Sequence, residues 1–346
     1  MELKKRFCAF LLLVALISAL CAFSPYGAFA LKPLAESGRP SLVPGGTPFG
    51  IKFFTRGVVV AGVTDIETYD GLASPAKDAG IRSGDIIAAV NGMSVNTAEE
   101  LGEAVASSRG DETVFTVKRG GESFKVTLRP VRSAADNVYR AGLWVRDSTA
   151  GIGTVTYVDS RTGEFGGLGH GICDTETGDP LPLLRGVVTD VTVTGVVKGR
   201  ANEPGELKGD FSLTMAGTLE KNTECGVFGT LNDISAYSSP PMEICYSGEM
   251  KTGKAHILTT VEGETPRLYE IRIVRIYENS GQSKNFLIEV TDGALLEKTG
   301  GIVQGMSGSP VIQDGRLCGA VTHVMINDPR RGYGIFIENM LSAAQN

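Results

Sequence analysis

The sequence predicts two folded modules in series: a small α+β domain over residues 48–131 and an all-β barrel or sandwich over residues 138–346. Three observations carry that reading. The 346 residues leave room for about two domains at roughly 100–200 residues each. Hydrophobic residues make up 42% and charged residues 21%, the balance of a chain that buries cores and does not stay disordered. Glycine fills 45 positions while aromatic residues are only 7%, as many tight turns between short strands require. The 33 Lys plus Arg against 39 Asp plus Glu leave a net charge of -6. No block of like charge follows the first few residues, so there is no electrostatic footprint for nucleic acid.

Residues 1–30 read as a targeting segment. Lys4, Lys5 and Arg6 precede an uncharged run from Phe7 to Phe23, and Ala28-Phe29-Ala30 offers a small-x-small cleavage site. The apolar run is near the lower limit for spanning a bilayer, so cleavage after Ala30 and retention as an anchor both stay open. Either way the remainder is expected outside the cytoplasm. Residues 31–47, with Pro33, Pro40, Pro44, Gly38, Gly45 and Gly46, are expected to be an exposed linker and the preferred place for proteolysis. Cys8 and Cys21 belong to the targeting segment, leaving Cys173, Cys225, Cys245 and Cys318. None forms a CxxC pair, so no structural zinc is expected. Disulfides in any of three pairings and buried free thiols remain alternatives.

In the first module, Gly57 to Val63 is an apolar run long enough for a buried strand and too short for a helix. Ser74-Pro75 opens a brief helix that stops at Gly80. Gly84 to Gly92 is a strand entering an Asn-Gly turn, and Thr97 with Glu100 forms a capping box for a second helix. Residues 113–128 alternate as a hairpin. The stretch SPAKDAGIRSGDIIAAVNG, Ser74 to Gly92, resembles a PDZ domain of the circularly permuted kind attached to secreted bacterial proteases. Such domains bind an extended peptide at a sheet edge and hold its terminal carboxylate on backbone N–H groups. The resemblance implies a binding loop at Phe49, Gly50 and Ile51, with Ile51 and Phe53 starting the accepting strand. An ordinary core strand is the alternative.

The second module alternates Val, Ile and Thr between glycine turns, most clearly over residues 187–197, and ends in a short helix near Ile337 to Ala344. Three histidines occur in the chain. His170, in Gly-Leu-Gly-His-Gly, sits on a bare loop where a packing histidine is out of place. His256 reads as a strand residue. His323 either lines a substrate cleft or packs. Residues 300–312 hold Gly305-Met306-Ser307-Gly308-Ser309-Pro310, where glycines permit an unusual backbone around a nucleophile. The N–H groups of Gly305 and Ser307 would converge as an oxyanion hole. Ser309 is the rival nucleophile.

GLGHGICD and TGGIVQGMSGSP together resemble the stage IV sporulation protein B peptidase family, PDZ-bearing serine peptidases of endospore-forming bacteria. The likeness covers essentially the whole chain. It implies Ser307 as nucleophile, His170 as base and Asp292, fifteen residues before the serine, as acid; Asp174 is the rival acid. The order His, Asp, Ser is that of chymotrypsin-like enzymes, and a double barrel is the expected peptidase fold. Two departures stand out: the aspartate lies much nearer the serine than usual, and Met306 holds a place that is normally acidic. The resemblance further implies a metal-free, cofactor-free endopeptidase in the intermembrane space of the developing spore. There it would cut an extracytoplasmic part of a membrane-bound regulator, activate intramembrane proteolysis of a sigma-factor precursor, and cleave itself. The competing class is a non-catalytic exported PDZ adaptor that binds peptide C-termini.

Overall fold

Two long strands decide the architecture, and one of them serves two cores at once. The computed structural model describes residues 38–175, 177–277 and 283–345. The targeting segment expected at residues 1–30 and the linker residues 31–37 lie outside the described residues. Among the described residues no helix is long and apolar enough to cross a membrane, and residues 40–346 form one compact unit.

Strand β1 (Ser41–Pro44) is followed by β2 (Pro48–Val63). In β2 residues of opposite parity enter different cores. Phe49, Ile51, Phe53 and Val59 enter one core, whereas Val58 and Val60 enter another. The second of these cores belongs to the small module, built from β3 (Ile66–Thr68), β4 (Gly71–Ala73), α1 (Pro75–Asp78), β5 (Ile86–Val90), β6 (Met93–Ser94), α2 (Ala98–Ser107), β7 (Thr113–Arg119) and β8 (Glu122–Leu128). The local signals hold. Asn91 and Gly92 both have positive φ, 51° and 82°, as a type I′ turn requires. Thr97 Oγ1 accepts from Glu100 N at 3.1 Å, while Glu100 Oε2 accepts from Thr97 N at 3.3 Å. Fully buried Asp85 is held by both Arg119 Nε, at 2.6 Å, and Arg119 Nη2, at 2.7 Å.

A two-stranded ribbon, β9 (Val131–Arg132) with β10 (Tyr139–Arg140), leads into β11 (Leu143–Val158), β12 (Glu164–Gly167), β13 (Leu183–Val197), β14 (Glu206–Thr223) and β15 (Gly226–Leu231). The order β11-β12-β15-β14-β13-β2 closes on itself through the β11–β2 pairing, giving a first six-stranded ring. After β16 (Met242–Glu243), strands β17 (Gly253–Thr259), β18 (Arg267–Ile276) and β19 (Phe286–Val290) are followed by α3 (Gly293–Thr299). Then come β20 (Pro310–Gln313), β21 (Arg316–Met325), β22 (Asp328–Phe336) and the terminal helix α4 (Ile337–Gln345). Strands β17-β18-β19-β22-β21-β20 form a second closed barrel. The expected double barrel is therefore present, and its first half is completed by a strand from the far side of the small module.

Two expectations are corrected here. Residues 40–47 are not an exposed linker: Leu42 and Val43 are buried, β1 pairs with β11 and β16, and Gly45 and Gly46 donate to Thr156 O and Val155 O at 3.0 and 2.8 Å. Proline is tolerated because Pro40 precedes this short strand and Pro44 ends it. Nor do Phe49, Gly50, Ile51 and Phe53 form a peptide-accepting loop. They pair with β11 on one edge and with β13 on the other, so no edge is left there for a ligand to extend, and the boundary of the small module falls near Gly57 instead of residue 48.

Candidate active site

The nucleophile loop is fixed from beneath by the first barrel. Thr154 Oγ1 donates to Gly305 O at 2.8 Å, Thr154 N to Ser307 O at 2.9 Å and Thr156 Oγ1 to Gly308 O at 2.7 Å. Gly308, at φ 97°, lies so close that a Cβ there would collide with the Thr154 carbonyl. In a trans peptide the N–H points opposite to the preceding carbonyl. Met306 O is held by Ser309 through its Oγ at 2.6 Å and its N at 3.0 Å, which turns the Ser307 N–H outward. Gln304 O is held by Leu207 N at 2.9 Å, which does the same for the Gly305 N–H. The intervening Gln304, Met306 and Gly308 N–H groups are committed to Gly205, Val303 and Val321. Each of these two N–H groups is thus turned away from a carbonyl that the fold holds in place. Ser309 itself is 0% exposed and also bonds Thr259 Oγ1 at 2.9 Å, which makes it a brace and a poor nucleophile.

Ser307 Oγ is partly buried and donates to Thr322 O at 2.7 Å. The next residue, His323, has its ring centroid 4.8 Å from that of His170. Serine and histidine therefore converge on one dipeptide of β21. The GLGHG loop that brings His170 there turns through Leu168 and Gly169, with φ 64° and 68°. A buried leucine in the left-handed region is strained, and strain of this kind gathers at functional sites. The loop is then tied down by distant groups. Asn222 of β14 accepts from Ile172 N at 2.8 Å and donates to Ile172 O and Leu181 O at 2.8 and 2.9 Å. Arg146 of β11 forms an ion pair with buried Asp174. The sequence reading missed Thr154, Asn222 and Arg146, because nothing local marks a residue whose role depends on a partner far along the chain.

His170 is less open than its glycine neighbours suggest: the ring is partly buried against His323. Its Nδ1 lies 2.8 Å from Gly171 O, which fixes the tautomer with the proton on Nδ1 and leaves Nε2 as the basic nitrogen. Burial pushes the His170 pKa below its ordinary value, partly opposed by the bond to Gly171. Burial, followed by the neighbouring His170 and Lys284, brings His323 down to about 4. Both rings are thus neutral near pH 7.

Asp292 takes a place other than the expected one. It is the N-cap of α3: Oδ1 accepts from Leu295 N at 3.0 Å and Oδ2 from Glu270 N at 3.4 Å. Among the described residues the hydrogen bond found at the His170 ring is the one from Nδ1 to Gly171 O. Asp174 turns to Arg146 and accepts from Thr177 N at 3.0 Å. The helix-capping position satisfies the Asp292 carboxylate locally, and the His170 Nδ1 bond goes to Gly171 O.

A family model described as SpoIVB peptidase S55 matches residues 137–341, well over half of the chain. The chain belongs to the SpoIVB peptidase S55 family. It is a serine endopeptidase, and a second model, described as a PDZ domain, matches residues 71–119. A 70-residue stretch, 20% of this SpoIVB-family chain, is 36% identical to a Clostridium acetobutylicum protein named as a zinc metalloprotease, and it spans only 21% of that protein. Similar solved structures include the Rv3671c protease from M. tuberculosis in its active form. It shares 15% identity, with 57% of this chain and 74% of that one covered and a TM-score of 0.33. Deg5 shares 14% identity, with 56% and 80% covered and a TM-score of 0.34.

Proposed function

We propose that this peptidase acts in sporulation signalling, outside the cytoplasm, by cutting an extracytoplasmic part of a membrane-bound regulator and so activating intramembrane proteolysis of a sigma-factor precursor. Membership of the SpoIVB peptidase S55 family is the observation that carries the reading. The targeting pattern before residue 31 supports an exported enzyme in the intermembrane space of the developing spore.

Ser307 attacks the peptide carbonyl, and His170 Nε2 takes its proton and returns it to the leaving amine. In the resting structure the Ser307 hydroxyl points to Thr322 O, so rotation about its Cα–Cβ bond starts the reaction. Gly171 O holds the Nδ1 proton, and the Gly305 and Ser307 N–H groups receive the oxyanion. The chain also cleaves itself, at sites before Pro40, where the compact unit begins. The PDZ module binds peptide segments.

The test is replacement of the native chain by Ser307→Ala in a spore-forming host, with the regulator and the sigma-factor precursor followed by immunoblot. Both should stay uncut. Normal processing in the variant would exclude this role. Trace active enzyme added to purified Ser307→Ala protein should generate new N-termini at or before residue 40, and cuts confined to later residues would remove the self-cleavage assignment.

A further inference from the structure

A second chemically capable pair lies away from Ser307 and His170. Just past β16, Ile244 forms a parallel bridge with Leu317 of β21, and Cys245 N donates to Leu317 O at 2.8 Å. One residue further on, Cys245 and Cys318 face the opposite side. Ile244 and Leu317 enter the cluster beneath α4, whereas both cysteines enter the core of the second barrel. They are 5% and 0% exposed. Neighbouring strands lie about 4.7–4.9 Å apart, within the Cα separation of about 4.4–6.8 Å that a disulfide spans.

We propose that Cys245 and Cys318 are a disulfide-forming pair, oxidised by exchange with a small-molecule or protein disulfide. One thiolate attacks the incoming disulfide and expels a thiolate, leaving a mixed disulfide. The second cysteine displaces the other half. Two cysteine thiols and one disulfide thus give one protein disulfide and two thiols, with both electrons passing to the oxidant. The adjacent Cys245, and after it burial, push the Cys318 thiol well above its ordinary range, so little thiolate exists once the barrel has closed. The link therefore forms while the chain is folding and is shielded from reduction afterwards. It closes a loop of about 70 residues that contains Ser307, and it anchors the strand that carries Thr322 and His323.

The full chain is refolded either with mixed reduced and oxidised glutathione or with dithiothreitol, alkylated under denaturing conditions, and digested without reduction for mass spectrometry. The expected result is a Cys245–Cys318 linked peptide in the glutathione sample alone, with Cys173 still alkylated. The melting temperature should rise by about 5–15 °C over the reduced protein, and the rise should vanish in both Cys245→Ala and Cys318→Ser. Should either variant fail to fold, the wild-type linkage map decides alone. Alkylated Cys245 and Cys318 in the glutathione sample, or either one linked to another cysteine, overturns the proposal.

Discussion

The two halves of the candidate active site are held by different means. The Ser307 loop belongs to a closed barrel, is shaped by its own glycines, and rests on two alternate threonines of β11, Thr154 and Thr156. The His170 loop leaves the first barrel after β12 and keeps its shape through Asn222, Arg146 and a strained Leu168. The Ser307 loop is thus shaped by local sequence, whereas the position of His170 is borrowed from elements far along the chain. Remote substitutions should therefore reach the histidine much more readily than the serine.

The sharpest division is between two serines. Ser307→Ala should lower kcat by at least about 10³-fold at unchanged folding and abolish labelling by a fluorophosphonate. Ser309→Ala should keep the label on Ser307 while weakening the oxyanion donors and lowering stability by about 1–3 kcal/mol. A label that moves to Ser309 would reverse the roles.

Next comes the tether of the histidine loop. Arg146→Met leaves the Asp174 carboxylate buried without its ion-pair partner, at a cost of about 1–2 kcal/mol after allowance for the partly exposed arginine. It should lower kcat with KM little changed, and Arg146→Lys should recover part of the loss. An unchanged kcat in Arg146→Met would mean that the loop holds itself.

Asp292 separates capping from catalysis, because Asn caps a helix about as well as Asp. Asp292→Asn should keep both the melting temperature and kcat/KM within tenfold, while Asp292→Ala should lose about 1 kcal/mol of stability. A hundredfold fall in kcat for Asp292→Asn at unchanged melting temperature would make this carboxylate the partner of the imidazole during turnover.

The last effect is pH-dependent and leaves stability at neutral pH untouched. His323 titrates at about 4 in the folded chain against about 6.5 unfolded. As pH falls from about 6.5 toward 4, the unfolded chain binds a proton that the native site refuses, and stability is lost. His323→Phe keeps an aromatic ring against His170 and should flatten that acid-side loss in denaturant titrations. The contribution of His170, depressed in the same direction, should persist. A variant as acid-sensitive as the parent would place the titration elsewhere.

Local chemistry was legible in the sequence. The Thr97–Glu100 box, the Asn91-Gly92 turn, the terminal helix and the glycine-framed His170 and Ser307 each depend on residues a few positions apart. The partner of a strand was not. Residues 48–63 alternate in a way that satisfies a small α+β module or a barrel equally well, and only pairing with β11 and β13 decides between them. The capping role of Asp292 was hidden for a related reason: a fixed distance to a serine in sequence says nothing about which N–H groups bond the carboxylate.

Because one strand runs through both cores, the boundary drawn by the family match is not a place where the molecule can be divided. A fragment beginning at residue 137 would lack the stave formed by Pro48–Thr55, leaving the facing edges of β11 and β13 open to water. Open edges of that length recruit other chains. Such a fragment would tend to borrow the missing strand from a second molecule or to aggregate, and adding the segment back as a separate peptide would be a direct way to close the ring.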